Sequence, residues 1–130
     1  MHQSRLLPLV AFLGLFILVL QCTALSLFLY WRFWWLDIAV HFLGGLWVSL
    51  ALAWFFFISP YVSRPSALKL SRAFLIIVLG TLIIGCLWEV FEYSLGLSTD
   101  VQGYVFDTIS DIVSDVAGGL LGYLVFTRFH

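Results

Sequence analysis

The chain has 130 residues, of which 63% are hydrophobic, 18% aromatic and only 10% charged, with a formal net charge of −1 and a mean hydropathy of +1.10. Soluble domains carry about 45–50% apolar and about 25% charged residues, so this composition excludes a disordered chain, a nucleic-acid-binding domain and an ordinary cytosolic enzyme. Cys22 and Cys86 both lie inside apolar runs, which leaves neither a disulfide framework nor a zinc finger.

Four hydrophobic stretches reach the roughly 20 residues that a helix needs to cross a bilayer, at about 6–30, 36–58, 73–95 and 106–127. They predict an all-α, polytopic membrane protein, a four-transmembrane-helix bundle forming a single membrane domain. Pro8 falls near the start of the first span, where its missing N–H does no harm. That apolar run continues well past a signal-peptide core, so the first span reads as an uncleaved helix. Between the second and third spans, Pro60 and Pro65 mark residues 59–72 as a loop. Gly96 to Tyr104, with Ser98, Thr99, Asp100 and Gly103, is a second turn-rich connection before the fourth span.

Under this topology Arg5, Arg64, Lys69, Arg72 and Arg128 share one side and Arg32 stands alone on the other. The positive-inside rule then predicts that both termini are cytoplasmic. Tyr30, Trp31, Trp34 and Trp35, with Tyr93 and Tyr104, mark the opposite interface.

The acids follow a different rule. The second span carries Asp37 and His41 in its outer half, the third Glu89 and Glu92, and the fourth Asp107, Asp111 and Asp115 at increasing depth. Asp100 lies in the outer loop. At 1.5 Å per residue, His41, Glu89 and Asp111 sit roughly 8–10 Å below the boundary. Asp107, Asp111, Asp115, Gly118 and Gly122 fall within an arc of about 80°, and Asp37, His41, Gly44, Gly45 and Val48 within about 100°. Small residues let helix backbones approach closely, so both stripes are expected to face the bundle interior.

An ionised Asp at mid-membrane costs roughly 2.5–3.5 kcal/mol on the lenient insertion scale. Within the second, third and fourth spans no Lys or Arg offsets these groups. A bound cation, shared protons or a water-filled vestibule would each answer the cost, and a cation answers best where several carboxylates and one imidazole converge. His41, Glu89, Asp111 and Asp115 are therefore the candidate metal ligands. Mixed oxygen and imidazole donors suit Mg²⁺, Mn²⁺, Ca²⁺ or Zn²⁺. Glu92, Asp107 and Asp37, nearer the interface, are candidates for a catalytic base or for supporting the ligands. Trp47, Trp54 and Trp88 read as packing or lipid-facing aromatics.

The segment Asp37-Ile-Ala-Val-His41-Phe-Leu-Gly44-Gly45 aligns without gaps with Asp111-Ile-Val-Ser-Asp115-Val-Ala-Gly118-Gly119. This pattern suggests two parallel helix-pair repeats, with His41 and Asp115 opposed across the bundle axis.

At Asp37-x3-His41-Phe42, at Trp88-Glu89 with Glu92, and at Asp107-x3-Asp111-x3-Asp115 ahead of Gly118-Gly119, the chain resembles the VanZ-like and YjdF-type bacterial inner-membrane proteins, over about residues 36–122. It departs from the VanZ-like pattern at Ile38, Glu92 and Asp115, where Lys, Gln and Asn are usual. The resemblance implies a protein of the cytoplasmic membrane, with some relatives linked to glycopeptide resistance, and no established reaction. Gly103-x3-Asp107-x3-Asp111 matches only the second half of the CDP-alcohol phosphotransferase signature. No nucleotide loop or HExxH motif is present, so no nucleotide cofactor is expected.

Two functions follow as expectations. One is a metal-dependent hydrolase or transferase on a lipid-linked or envelope substrate, with metal-bound water as nucleophile. The alternative is a cation- or proton-binding transport or accessory subunit without catalysis. Four short helices are few for an autonomous transporter, so the alternative calls for a homo-oligomer or a membrane partner. Membrane lipids are the expected surroundings, and nucleic acid is not an expected partner.

Overall fold

The structure, a computed structural model, describes residues 5–62, 69–96 and 101–129. Arg64, Pro65, Ser98, Thr99 and Asp100, all used in the topology reading, lie outside these residues.

All regular structure among the described residues is helical: α1 (Leu6–Ser26), α2 (Leu29–Arg32), α3 (Leu36–Phe57), α4 (Leu70–Phe74), a π-helical turn (Leu75–Leu79), α5 (Gly80–Ser94) and α6 (Val101–Phe129). Because α4, the π turn and α5 form one rod, four helices are long and apolar enough to cross a membrane: Leu6–Ser26, Leu36–Phe57, Leu70–Ser94 and Gly103–Arg128.

The first helix stops earlier than the apolar run suggests. In its last turn the Thr23 and Ser26 hydroxyls donate to the carbonyls of Val19 and Cys22, and such back-bonding competes with helix continuation. Phe28 then adopts a left-handed backbone at φ 53°, which turns the chain into α2. Tyr30 therefore belongs to a separate short element. Residues 101–104, expected as loop, open α6 instead. The preceding stop is made by Gly96 at φ +66°, a conformation glycine adopts without a Cβ clash. At the other loop Ser59 donates to the Phe55 carbonyl ahead of Pro60, which ends α3.

The bundle is organised around α3 and α6, which run parallel and in continuous contact. Gly45 and Gly118 permit that approach. A Cβ on Gly45 would collide with the Asp115 carbonyl, and one on Gly118 with the Phe42 carbonyl. At one end the seam closes with an apolar cluster of Leu50, Ala53, Phe57 and Phe126, joined by Leu6 and Val10 of α1, Ala73 of α4 and Ile77 of the π turn. The Phe57 and Phe126 rings lie 5.4 Å apart.

Packing of α1 on α3 includes the Trp47 indole, which donates to the Val10 carbonyl at 2.9 Å. α5 packs on α6 and on α3. The inside–outside pattern is the reverse of a water-soluble protein. Phe12, Val90, Val113 and Leu124 are exposed, while His41, Glu89, Asp111 and Asp115 are buried. A hydrocarbon solvent explains the first set; the second needs a local reason.

Candidate functional site

His41 stands one turn along α3 from Asp37, and its imidazole points into the space between α3, α5 and α6. Three carboxylates from three helices face its Nε2 atom. Asp37 Oδ1 lies at 3.8 Å, Glu89 Oε1 at 3.9 Å and Asp111 Oδ2 at 3.7 Å. Asp115 takes the other nitrogen, with Oδ1 and Oδ2 at 3.3 and 3.4 Å from Nδ1. Its carboxylate is seated against Gly85 of α5, where a Cβ would come within 2.6 Å of Oδ2. Parallel register brings this about, because residues 41 and 115 stand at nearly the same level of the two helices.

The centre is dry. Asp111 is 1% exposed, Glu89 5%, and His41 and Asp115 6% each. The Nε2 distances are too long for hydrogen bonds. Glu89 Oε1, Asp111 Oδ1 and the Thr108 hydroxyl oxygen are buried without a hydrogen-bond partner. Two overlapping groups could hold a metal ion, Asp37–His41–Asp111 and His41–Glu89–Glu92, each offering donor atoms within 4.8 Å of one another.

The seven side chains singled out from sequence thus separate by position. Asp37, Glu89 and Asp111 ring Nε2, Asp115 holds Nδ1, and Glu92 joins from the α5 side, half-buried. Asp107, exposed near the start of α6, stands outside both groups and lines a cavity instead.

That cavity, about 580 Å³, lies between α1, α3, α5 and α6 and is partly open. Asp37, His41, Glu92, Asp107 and Asp115 reach it. Its rim carries residues that the sequence assigns only to packing or to the interface. The Trp88 indole donates to Glu92 Oε1 at 2.9 Å and so fixes that carboxylate at the wall. Tyr30 donates to Gln21 Oε1, tying α2 to α1 at the mouth. Burial, with a smaller contribution from Asp37, pushes the Tyr30 phenol up to about 12, which keeps it a neutral donor. For Trp88 a signal exists: Trp and Glu at i and i+4 on a helix are neighbours. Nothing in the local sequence around Tyr30 and Gln21, nine residues apart across a chain reversal, indicates their bond.

His41 and Asp115 face each other across the seam, but the glycine pairs that follow them in sequence are used differently. Gly45 and Gly118 meet backbone across the seam, and Gly119 faces Thr81. Gly44 looks into the cavity, where a Cβ would find no neighbour within 4 Å.

Four apolar spans around a buried acid–imidazole centre define a multi-pass membrane protein with a polar interior site. The chain belongs to the predicted membrane protein family DUF2238, which matches it over residues 1–130. No curated protein and no solved structure matches it. Membership thus agrees with the spans, and the chemistry of the centre must be argued from its geometry.

Proposed function

We propose that the His41 centre binds one divalent metal ion and that the protein is a metal-dependent hydrolase or transferase acting on a lipid-linked or envelope substrate. The observation that carries this reading is the unpartnered buried Glu89 Oε1, which with Asp111 Oδ2 faces an imidazole nitrogen that no carboxylate reaches at hydrogen-bond distance, while Asp111 Oδ1 also lacks a partner. Two donors bound about 2.1 Å from one ion lie roughly 3.0–4.2 Å apart, depending on their angle at the ion. Each of the three carboxylate oxygens lies 3.7–3.9 Å from Nε2, and Asp37, His41 and Asp111 form one group of mutually close donors and His41, Glu89 and Glu92 another. Asp115 on Nδ1 completes a carboxylate–histidine arrangement that fixes the tautomer leaving Nε2 free to ligate.

One imidazole among carboxylates favours Mn²⁺ or Zn²⁺ over an all-oxygen ion such as Ca²⁺. Such an ion supplies Lewis acidity and an acidified water. Glu92 and Asp107, at the cavity wall beside the centre, are placed to take the proton from an attacking water or hydroxyl. Arg5, Lys69, Arg72 and Arg128 stand at the far end of the spans from the centre, which supports cytoplasmic termini and a site towards the outer face. The VanZ-like and YjdF-type resemblance supports the cell-envelope setting.

Metal analysis of purified protein tests the reading. One equivalent of divalent metal is expected, lost on chelation and in Glu89→Gln and Asp111→Asn. Asp115→Asn should retain the site but weaken metal affinity by about 10–100-fold. Protein that takes up no metal and melts at the same temperature with and without Mn²⁺ or Zn²⁺ overturns it.

A further inference from the structure

The cavity has a chemistry of its own, apart from the Nε2 face of His41. Four carboxylates reach it, those of Asp37, Glu92, Asp107 and Asp115, and among its described lining residues there is no Lys or Arg. Even one divalent ion held by Asp37, His41 and Asp111 leaves Glu92 and Asp107 facing the space. An anionic head group entering here would meet this field unfavourably, whereas a cation would be held by it.

The wall between these acids is aromatic. Tyr30 and Trp34 stand at the mouth, and Trp88 lies beside Glu92. Aromatic faces next to carboxylates are the surface that recognises organic ammonium groups, through the ring quadrupole as well as the charge. Deeper in, the lining changes to Ile17, Val48 and Ile84, with Trp47 and Thr81 beside them. Val48 lies about 16 Å along α3 from Asp37. The volume, about 580 Å³, falls within the roughly 300–1,000 Å³ of small-molecule sites.

We propose that this cavity binds a free, single-chain amphiphilic organic cation, its ammonium group held by Glu92 and Asp107 among the mouth aromatics and its hydrocarbon chain lying against Ile17, Val48 and Ile84. The juxtaposition of acids and indoles at one end with an aliphatic floor at the other defines the ligand class. The site does not depend on a metal at His41, so it can be tested on chelated protein.

Octyltrimethylammonium and octyl sulfate share a chain and differ in the sign of the head. Titrated calorimetrically and by tryptophan fluorescence into chelated protein in dodecyl maltoside, the cation should bind saturably and at least tenfold more tightly than the anion. Glu92→Gln combined with Asp107→Asn should weaken the cation at least tenfold, while octyl sulfate binds this variant no more tightly than the cation binds wild type. Trp88→Leu should weaken the cation severalfold, and the charge contrast in wild-type protein stands as a test whatever the variants' folding. Equal binding of the two amphiphiles, non-saturable partitioning, or full retention of cation binding in a folded double variant overturns the proposal. In nanodiscs the affinity should be the same in phosphatidylglycerol with or without added phosphatidylethanolamine. Competition by phosphatidylethanolamine would instead assign the cavity to the amine head of a membrane lipid and overturn the free-ligand form.

Discussion

Towards the Phe57 end, α3 and α6 meet through side chains that fill the space between them: Leu50, Ala53, Phe57 and Phe126 are buried against Ile77 of the π turn. Towards the Asp37 end the same two helices, with α5, enclose an imidazole, several carboxylates and three oxygens with no hydrogen-bond partner, beside a partly open cavity. In hydrocarbon, helices gain little from burying apolar groups, because lipid is equally apolar; close packing holds them together. Association therefore rests on close packing, both in the apolar half and at the Gly45 and Gly118 contacts beside the centre. A chain selected for stability alone would not leave Asp111 buried with an unpaired oxygen.

Breaking the seam should produce the largest effect. In Gly118→Val the new side chain meets the Phe42 carbonyl, a backbone atom that cannot swing away. The expected loss is about 3 kcal/mol or more, read as a collapse of the folded fraction in a detergent-denaturation titration. A melt within about 1 kcal/mol of wild type would show that α3 and α6 do not rely on this approach.

Phe126→Ala acts on the apolar half alone. It removes a ring that is 0% exposed and packed on Phe57. Because transfer to lipid no longer counts, the cavity left behind is the main cost, on the order of 2 kcal/mol by the same titration. Metal content of the folded fraction should be unchanged.

Asp111→Asn sharpens the contrast from the polar side, with the smallest effect on stability. In metal-free protein it should leave stability unchanged or raise it by about 1 kcal/mol, since it replaces a buried carboxyl group one of whose oxygens lacks a partner. A loss as large as that of Phe126→Ala would make the carboxylate a structural strut and erase the difference between the halves.

Much of this architecture is legible from residues alone. Span number and the convergence of acids at one level follow from local composition and from a fixed rise per residue, which neighbouring chain cannot change. Helix ends are less legible. Hydropathy extends the first span to Tyr30 because its neighbours are apolar, and the hydroxyl back-bonds and the left-handed Phe28 that end α1 leave hydropathy unaltered.

The roles within the centre are set by tertiary structure. Periodicity places Asp111 and Asp115 on one stripe, one turn apart and equivalent. Only the rotation and height at which α6 meets α3 put Asp115 on Nδ1 and Asp111 on Nε2, and left one Asp111 oxygen without a partner. The cavity likewise arises where α1, α3, α5 and α6 come together, an arrangement no single helix encodes. Depth is a property of one segment and can be counted along it. Azimuth and contact depend on how closely two backbones approach, and that is decided where Gly45 and Gly118 meet the facing helix.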